Sequence, residues 1–491
     1  MRNKESLLHK LVKFWNYKKS FVDFLIVPLV FFIVAFCIFN KFSKFNFIYD
    51  DIDYLAGLKG LIDTRGDYFG YIRTMAMRPF CFKPVSLGVN WIVNYKLFGL
   101  NPHSYHLYNI IVHSINSCLV YFLIRISCKL RLLGFVISFC YLVHPFNVEG
   151  MVWISGGFTS QIVVLFSCLT LSAYYVYLKK FNKNFIILSY LSFTCAFLSR
   201  EDVIMLPFLM VFFLFFLGCW QRARIKELIG YLVIIIFVLA VRYWLLYPSA
   251  FEAYRWDFTN IQNAFFRNNY YMNLALSPLK SIFGKVNFLE QHKILSLLFR
   301  ILCLLLFPFT FYKIYQYRKT MEVKLLGFGL AWYALFSVPF NFMFGKEFLC
   351  DRYLSLSIIG ILMAQIAVIA VILKGILRNH IYIKLLLLYF SFIILFICNY
   401  MIIERFNDNG AIKSSMNIQY YSATINMAIK NNPNIKNIIL AGFPEEERFL
   451  HILRLYTVYK NKNSIDMKNE EKGEKGNENT LVIQYKDIIW N

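Results

Sequence analysis

Runs of about twenty apolar residues recur along the whole of this chain, and a helix of that length crosses a bilayer core of about 30 Å. Eleven such runs are legible, at residues 21–40, 105–124, 132–146, 158–178, 185–199, 203–220, 228–247, 293–312, 325–340, 353–373 and 381–401. The backbone groups of each must be satisfied within the segment, which in hydrocarbon means a helix. The expected class is an all-α polytopic membrane protein. Composition excludes a soluble alternative: 58% of the 491 residues are hydrophobic, 52 are Phe, and the mean hydropathy is +0.52. The third and fifth runs are short, so tilting or local thinning is expected there.

Orientation follows from charge. The formal net charge of +24 invites nucleic acid as a partner, but the basic residues fall in alternate short loops. They cluster at Lys10, Lys13, Lys18 and Lys19, at Arg125, Lys129 and Arg131, at Lys179, Lys180 and Lys183, at Arg222, Arg224 and Lys226, at Lys313, Arg318 and Lys319, and at Lys374 and Arg378. This is the positive-inside pattern. It puts the N-terminus in the cytoplasm and, with an odd number of spans, the C-terminus outside. The partners expected are membrane lipids and no nucleic acid. The acids add to this. Of the 17 Asp and Glu before Glu404, all but Glu5, Asp23, Glu227 and Glu322 fall on the outer side in this topology, which leaves 13 there. The outer face is where chemistry is expected.

Residues 1–403 form the expected transmembrane domain, with a long first outer loop at 41–104 and a second outer region at 248–292 carrying Trp256, Tyr270 and Tyr271. Residues 404–491 are polar and form a small extracytoplasmic α/β tail, with strands at 435–441 and 480–485 and a charged, flexible stretch at 461–479 between them. The first span is a signal anchor, too long for a cleavable signal and without a small-residue cleavage site. Most of the 11 Cys lie in spans as small hydrophobes. Cys81 and Cys350 both fall in outer loops, with nothing in the sequence to favour a bond between them. There is no metal-ligand spacing of the CxxC or HExxH kind.

Five clusters fall on the outer side. Asp50, Asp51 and Asp53 crowd three mutually repelling like charges into four residues. Arg78 precedes Pro79, and His106, Asn109 and His113 then share one face of a helix. A polar stripe should turn toward protein and not lipid. For Asn109 and His113, interhelical hydrogen bonding is the favoured role, while His106 leaves packing and pocket roles both open. Next comes His144-Pro145, where the proline ends the third run, with Glu149, Trp153, Ser155 and Gly156. The fourth cluster is the turn Ser199-Arg200-Glu201-Asp202, whose plain reading is a charged hairpin. The fifth is Lys346-Glu347 with Asp351-Arg352-Tyr353. Arginine binds phosphate bidentately, whereas Lys346 can equally snorkel to phospholipid. Arg242 and Arg300 lie inside apolar runs and need partners.

Together these clusters describe one reaction. A carboxylate base takes a hydroxyl proton while Arg or Lys stabilises a leaving lipid-linked phosphate. A transporter or flippase of lipid-linked glycans is the rival from another class, and would place charges near the middle of several spans. A glycan polymerase or ligase would share the outer-loop chemistry. Asp50, Asp51 and Glu149 are also of a type that binds hard divalent cations.

The run His144-Pro145-Phe146-Asn147-Val148-Glu149-Gly150-Met151-Val152-Trp153-Ile154-Ser155-Gly156 resembles a motif of the tetratricopeptide-containing transmembrane O-mannosyltransferases and their bacterial relatives. Tyr49-Asp50-Asp51, Arg78-Pro79, Gly99 to Pro102, His106 to His113, Ser199-Arg200-Glu201, Asp351-Arg352-Tyr353-Leu354, Asn432-Pro433 and Gly442-Phe443-Pro444 resemble further blocks in the same order. The resemblance implies a GT-C membrane glycosyltransferase, O-mannosyltransferase-like. Such an enzyme uses a polyprenyl-phosphate sugar outside the cytosol, usually inverts, and needs no cofactor and no metal. It implies Asp50 or Asp51 as base and Arg352 as a donor-phosphate binder, to which Arg200 and Lys346 are added as further candidate phosphate binders by their charge and their place on the outer side. Around them, Arg78, His106, His144, Glu149, Trp153, Glu201, Asp351 and Tyr353 would line the pocket. The acceptor would be a hydroxyl of a glycan, lipid or protein, and the location a bacterial inner membrane with the site facing outward. Four departures stand out, one of them Asp351 in place of Glu. Gly157-Phe158-Thr159-Ser160 replaces an Arg and an acid, Arg200 replaces Lys, and no tetratricopeptide array follows.

Overall fold

A computed structural model describes residues 22–48, 50–78, 81–219, 225–246, 310–343 and 351–377, a few positions at 308 and between 381 and 393, and the segments 437–441, 466–470 and 480–484. The expected span at 293–312, Arg300, Lys346, Cys350, Trp256, Tyr270, Tyr271, most of 381–401 and the Asn432 and Gly442 blocks lie outside the described residues, as do the side chains of Arg78 and Asp351.

The described part is mostly helical. Its principal helices are α1 (Val27–Phe39), α2 (Asp50–Gly57), α3 (Asn90–Phe98), α4 (Pro102–Cys128), α5 (Arg131–Leu142), α6 (Val148–Val152), α7 (Ile154–Lys180), α8 (Lys183–Phe197), α9 (Leu206–Leu217), α10 (Ile225–Leu246), α11 (Met321–Met343) and α12 (Ser357–Ile376). Five helical segments among the described residues are long and apolar enough to cross a membrane: Asp23–Lys44, Pro102–Cys128, Ile154–Lys180, Lys226–Leu245 and Ser357–Ile376. This is a multi-pass membrane protein. At 27 residues, α4 and α7 are each about 40 Å long, enough to cross the hydrocarbon and project beyond it. Lipid-facing surface is plain on α10, where Val233, Ile236, Phe237 and Trp244 are exposed.

The ends of these helices follow local rules. Pro102 sits in the first turn of α4, where its missing N–H costs nothing. Gly218, at φ 64, closes α9 in the left-handed conformation that glycine adopts freely. In α8 the Asn182 side chain accepts from Asn184 N at 2.9 Å. Helix α4 packs on α1, α5 and α7, α7 on α8, and α11 on both α9 and α12. The α11–α12 contact is close enough that a Cβ on Gly360 would lie 2.7 Å from Gly329 O.

The third expected span is broken, not merely short. Helix α5 stops at Leu142, His144 is extended, and Pro145 opens a new helical path ending at Val152, with a bend of 46° between the two pieces. Proline removes a backbone donor and biases the residue before it out of the helical region, so the break falls where the sequence requires it. The fifth is a 15-residue apolar helix, short as expected.

Three of the four acids expected on the inner side lie among the described residues, and each is tied into structure. Asp23 accepts from Arg131 Nε at 2.8 Å, from Arg125 Nε at 3.2 Å and from the Tyr121 hydroxyl. Glu227 accepts from Tyr177 at 2.6 Å, and Glu322 is paired with Lys374.

In the tail, Asn437–Ala441 (β3) pairs in parallel with Asp466–Glu470 (β4) on one side and Thr480–Gln484 (β5) on the other, an order β4-β3-β5. Two strands thus lie where the sequence predicts them. The charged 461–479 stretch, expected to be flexible, carries the third: its five-residue run Asp466–Glu470 supplies the backbone pairing that β3 needs on its second edge. A small hairpin of Met77–Arg78 (β1) and Cys81–Phe82 (β2) lies in the first loop.

Candidate active site

The site is built around the N-terminus of α7. The first four N–H groups of a helix have no partner within it and carry a partial positive charge. Trp153, just ahead of α7, makes no side-chain cap. The Asp51 carboxylate, from α2, takes that place: its Oδ1 accepts from Ser155 N at 2.8 Å, and its Oδ2 from Ile48 N at 3.1 Å. Asp51 is fully buried. Burial pushes its carboxyl up to about 7; the two backbone bonds and the Ser155 side chain oppose the rise and neighbouring Asp50 adds to it. Asp50, at the start of the same helix, is partly exposed.

Arg352 arrives at the same place from the turn before α12. Its guanidinium lies over the Trp153 ring, 3.8 Å from the centroid, and its Cδ is 3.4 Å from where a Cβ on Gly156 would stand. A cation over indole at that distance is attracted by the ring quadrupole. Arg352 Nη1 donates to Glu149 Oε1 at 3.0 Å, and its backbone N donates to Glu149 Oε2 at 3.2 Å. Nη2 donates to the Tyr353 hydroxyl at 3.5 Å. The pair is largely but not wholly shielded, with side-chain exposures of 15% for Arg352 and 16% for Glu149.

Arg200 is placed differently from its expected role as a phosphate binder. It is buried, and its guanidinium forks onto Asp202, with Nε to Oδ1 at 2.7 Å and Nη2 to Oδ2 at 2.6 Å. Nη1 donates to Arg352 O at 3.1 Å and to Ser355 Oγ at 3.0 Å. The guanidinium is thus engaged by protein groups on both edges. Glu201 pairs with Arg242 at 3.6 Å, which answers the expectation that an arginine within an apolar run must find a partner. Arg242 also lies 5.4 Å from the Phe82 ring centroid. The first loop is fastened to the same turn by Val85 N donating to Leu198 O at 3.2 Å and Ser86 Oγ donating to Ser199 O at 3.1 Å.

The polar stripe of α4 holds the broken helix. His113 Nε2 is 2.9 Å from Leu142 O, at the C-terminus of α5. Asn109 Nδ2 donates to Gly150 O at 3.4 Å, and His106 Nδ1 is 2.8 Å from Met151 O. These carbonyls end helical segments and would otherwise lack partners. Packing is therefore the role observed for Asn109 and His113, and His106 shares it. His144 accepts from Phe146 N through Nδ1 at 3.3 Å and packs edge-on to the Phe146 ring. Gly157 lies where α4, α6 and α7 meet: a Cβ there would stand 2.2 Å from Gly150 O and 2.3 Å from Asn109 Nδ2. The glycine that departs from the resembled motif is the residue this close approach demands.

The structure thus brings together Asp51, Glu149, Trp153, Arg200, Arg352 and Tyr353, with Asp50 beside Asp51. Sequence reasoning missed Ser355 as a partner, and passed over Asp202 as part of a charged turn. An arginine two residues before an acid in a tight turn was the available signal. Among the described residues, no three His, Cys, Asp or Glu side chains are grouped to hold a metal ion.

Residues 84–247 match the family model of the dolichyl-phosphate-mannose-protein mannosyltransferases, a third of the 491-residue chain. That stretch includes Glu149, Trp153, Arg200 and Asp202; Asp50, Asp51 and Arg352 lie beyond it. Among solved structures, ArnT from Cupriavidus metallidurans bound to undecaprenyl phosphate is 12% identical, with 92% of this chain and 90% of that chain covered and a TM-score of 0.45. No curated protein matches the chain. The resemblance drawn from the motifs, to the GT-C membrane glycosyltransferases, is borne out by the family match: over residues 84–247 the chain is similar to the dolichyl-phosphate-mannose-protein mannosyltransferases.

Proposed function

We propose that this protein is an inverting glycosyltransferase that moves a sugar from a polyprenyl-phosphate donor to an acceptor hydroxyl on the extracytoplasmic face. The observation that carries this assignment is the convergence of Asp51, Glu149, Trp153 and Arg352 on one helix N-terminus, with the paired Glu149 and Arg352 alone 203 residues apart in the chain. An acidic pair, an arginine and an aromatic platform together are the groups such a reaction needs.

In the step proposed, the acceptor oxygen attacks the anomeric carbon as the bond from that carbon to the phosphate oxygen breaks. The acceptor proton passes to Asp50. The polyprenyl phosphate leaves with the bonding electron pair, and its developing charge is stabilised by Arg352. Asp50 is preferred as base because it is the partly exposed member of the pair, while both oxygens of buried Asp51 accept backbone N–H bonds. Asp51 then fixes α2 against α7, and Glu149 with Trp153 holds the Arg352 guanidinium flat.

The test is sugar transfer in proteoliposomes from a panel of polyprenyl-phosphate monosaccharides, followed by release of the polyprenyl phosphate. Asp50→Asn is expected to abolish turnover while leaving donor binding intact, and Arg352→Ala to impair both. Full turnover in Asp50→Asn would remove the base assignment. No transfer or hydrolysis of any donor by the wild type would remove the function.

A further inference from the structure

Arg352 is held at three points. Its backbone N–H is taken by Glu149, its guanidinium by Glu149 and Trp153, and its carbonyl oxygen by Arg200. The last contact reaches 152 residues back along the chain. Arg200 also takes Ser355 Oγ three residues beyond Arg352, so one guanidinium braces the whole turn from 351 to 355. It can do so because Asp202 fixes its other edge in a two-point fork, the geometry in which arginine loses least freedom per bond. The pair lies in the protein interior, with side-chain exposures of 2% for Arg200 and 0% for Asp202. A charge so placed is a poor ligand for a lipid headgroup. Lysine, which the resembled motif carries here, has no planar fork and cannot make these four bonds together.

We propose that Arg200 and Asp202 are a positioning pair for Arg352, setting the height of its guanidinium over Trp153, and that Arg200 does not itself bind the donor phosphate. This rests on the assignment of Arg352 to the phosphate.

The experiment uses the full chain in detergent and in proteoliposomes, with undecaprenyl phosphate as the binding probe and donor KM and kcat as further readouts. Asp202→Asn and Arg200→Gln are each expected to weaken probe binding about tenfold, the equivalent of roughly one charge-assisted hydrogen bond. The double variant should be no worse than either single one. Arg200→Lys should not rescue, and donor KM should rise while acceptor KM stays unchanged. If Arg200 gripped phosphate directly, Asp202→Asn would leave binding intact or tighten it, and Arg200→Lys would retain most of it; either result overturns the proposal. Because breaking a buried pair can prevent folding, Ser355→Ala provides a milder cut. It removes one acceptor of Arg200 and should weaken binding about threefold. No change in that variant also overturns the proposal. Arg352→Ala separates the two levels. Unaltered probe binding there sinks the phosphate assignment itself, whereas loss there with normal binding in Asp202→Asn sinks only the positioning pair.

Discussion

Replacing Asp51 by Asn should alter the pH dependence of stability in a direction fixed by its burial. The folded chain holds the Asp51 proton up to about pH 7, whereas an unfolded chain releases it near 3.8. Between those values the folded state binds more protons, so stability falls as pH rises. The stabilisation is fully present below pH 3.8 and is lost as pH rises through 7. From pH 5 to pH 7 the loss is about 2 kcal/mol, because the slope of about 1.4 kcal/mol per unit falls to half that value at pH 7. Asn does not titrate and lacks this loss. It does present an NH2 to one of the two N–H groups that Asp51 accepts, from Ile48 or Ser155, at a cost of about 1–3 kcal/mol at every pH. An unfolding entropy of about 2.1 cal/mol/K per residue makes 1 kcal/mol worth about 1 °C in a chain this long. The variant should therefore melt about 1–3 °C below wild type at pH 5 and level with it or above at pH 8. Intrinsic fluorescence during heating of detergent-solubilised protein reads this directly. Parallel profiles for the two proteins, or a gap that widens as pH rises, would refute the reasoning.

Gly157→Ala places a methyl against Gly150 O and the Asn109 amide and should cost at least 1–3 kcal/mol of overpacking, visible as a lower melting temperature and a smaller monodisperse fraction. Asp23→Asn leaves Arg125 and Arg131 without their shared carboxylate; a loss of about 3–5 kcal/mol is expected, seen as poor recovery of folded protein, and a normal yield would argue that water compensates there. Glu149→Gln offers one oxygen where two were used and turns an NH2 toward Arg352. Donor turnover should drop roughly 10- to 100-fold with little change in melting temperature, and an unimpaired variant would show that Arg352 does not depend on Glu149.

Membrane class, the break at Pro145 and the packing role of Asn109 and His113 could be read in advance because each follows from a local rule. An apolar run needs a helix, a proline needs a stop, and a polar stripe in a span needs protein partners. The Glu149–Arg352 pair was legible only as two outward-facing clusters, since nothing local says which acid meets which arginine. Arg200 shows the limit. Beside Glu201 and Asp202 it reads as a surface charge or a phosphate ligand, and only the tertiary approach of Ser355 and the Arg352 carbonyl reveals a brace. Gly157 was noticed as a departure, but its reason, the near contact of three helices, lies in the packing alone.

The bend ahead of Trp153 has a consequence for how the protein tolerates change. Its loose carbonyls are stitched to α4 by two imidazoles and an amide, so the kink needs no solvent to survive and keeps its angle wherever the headgroup boundary falls. Rewriting that stripe would leave α4 a sound helix and instead swing the indole on which the arginine rests. A substitution there would be felt as a misaimed arginine in an otherwise intact bundle.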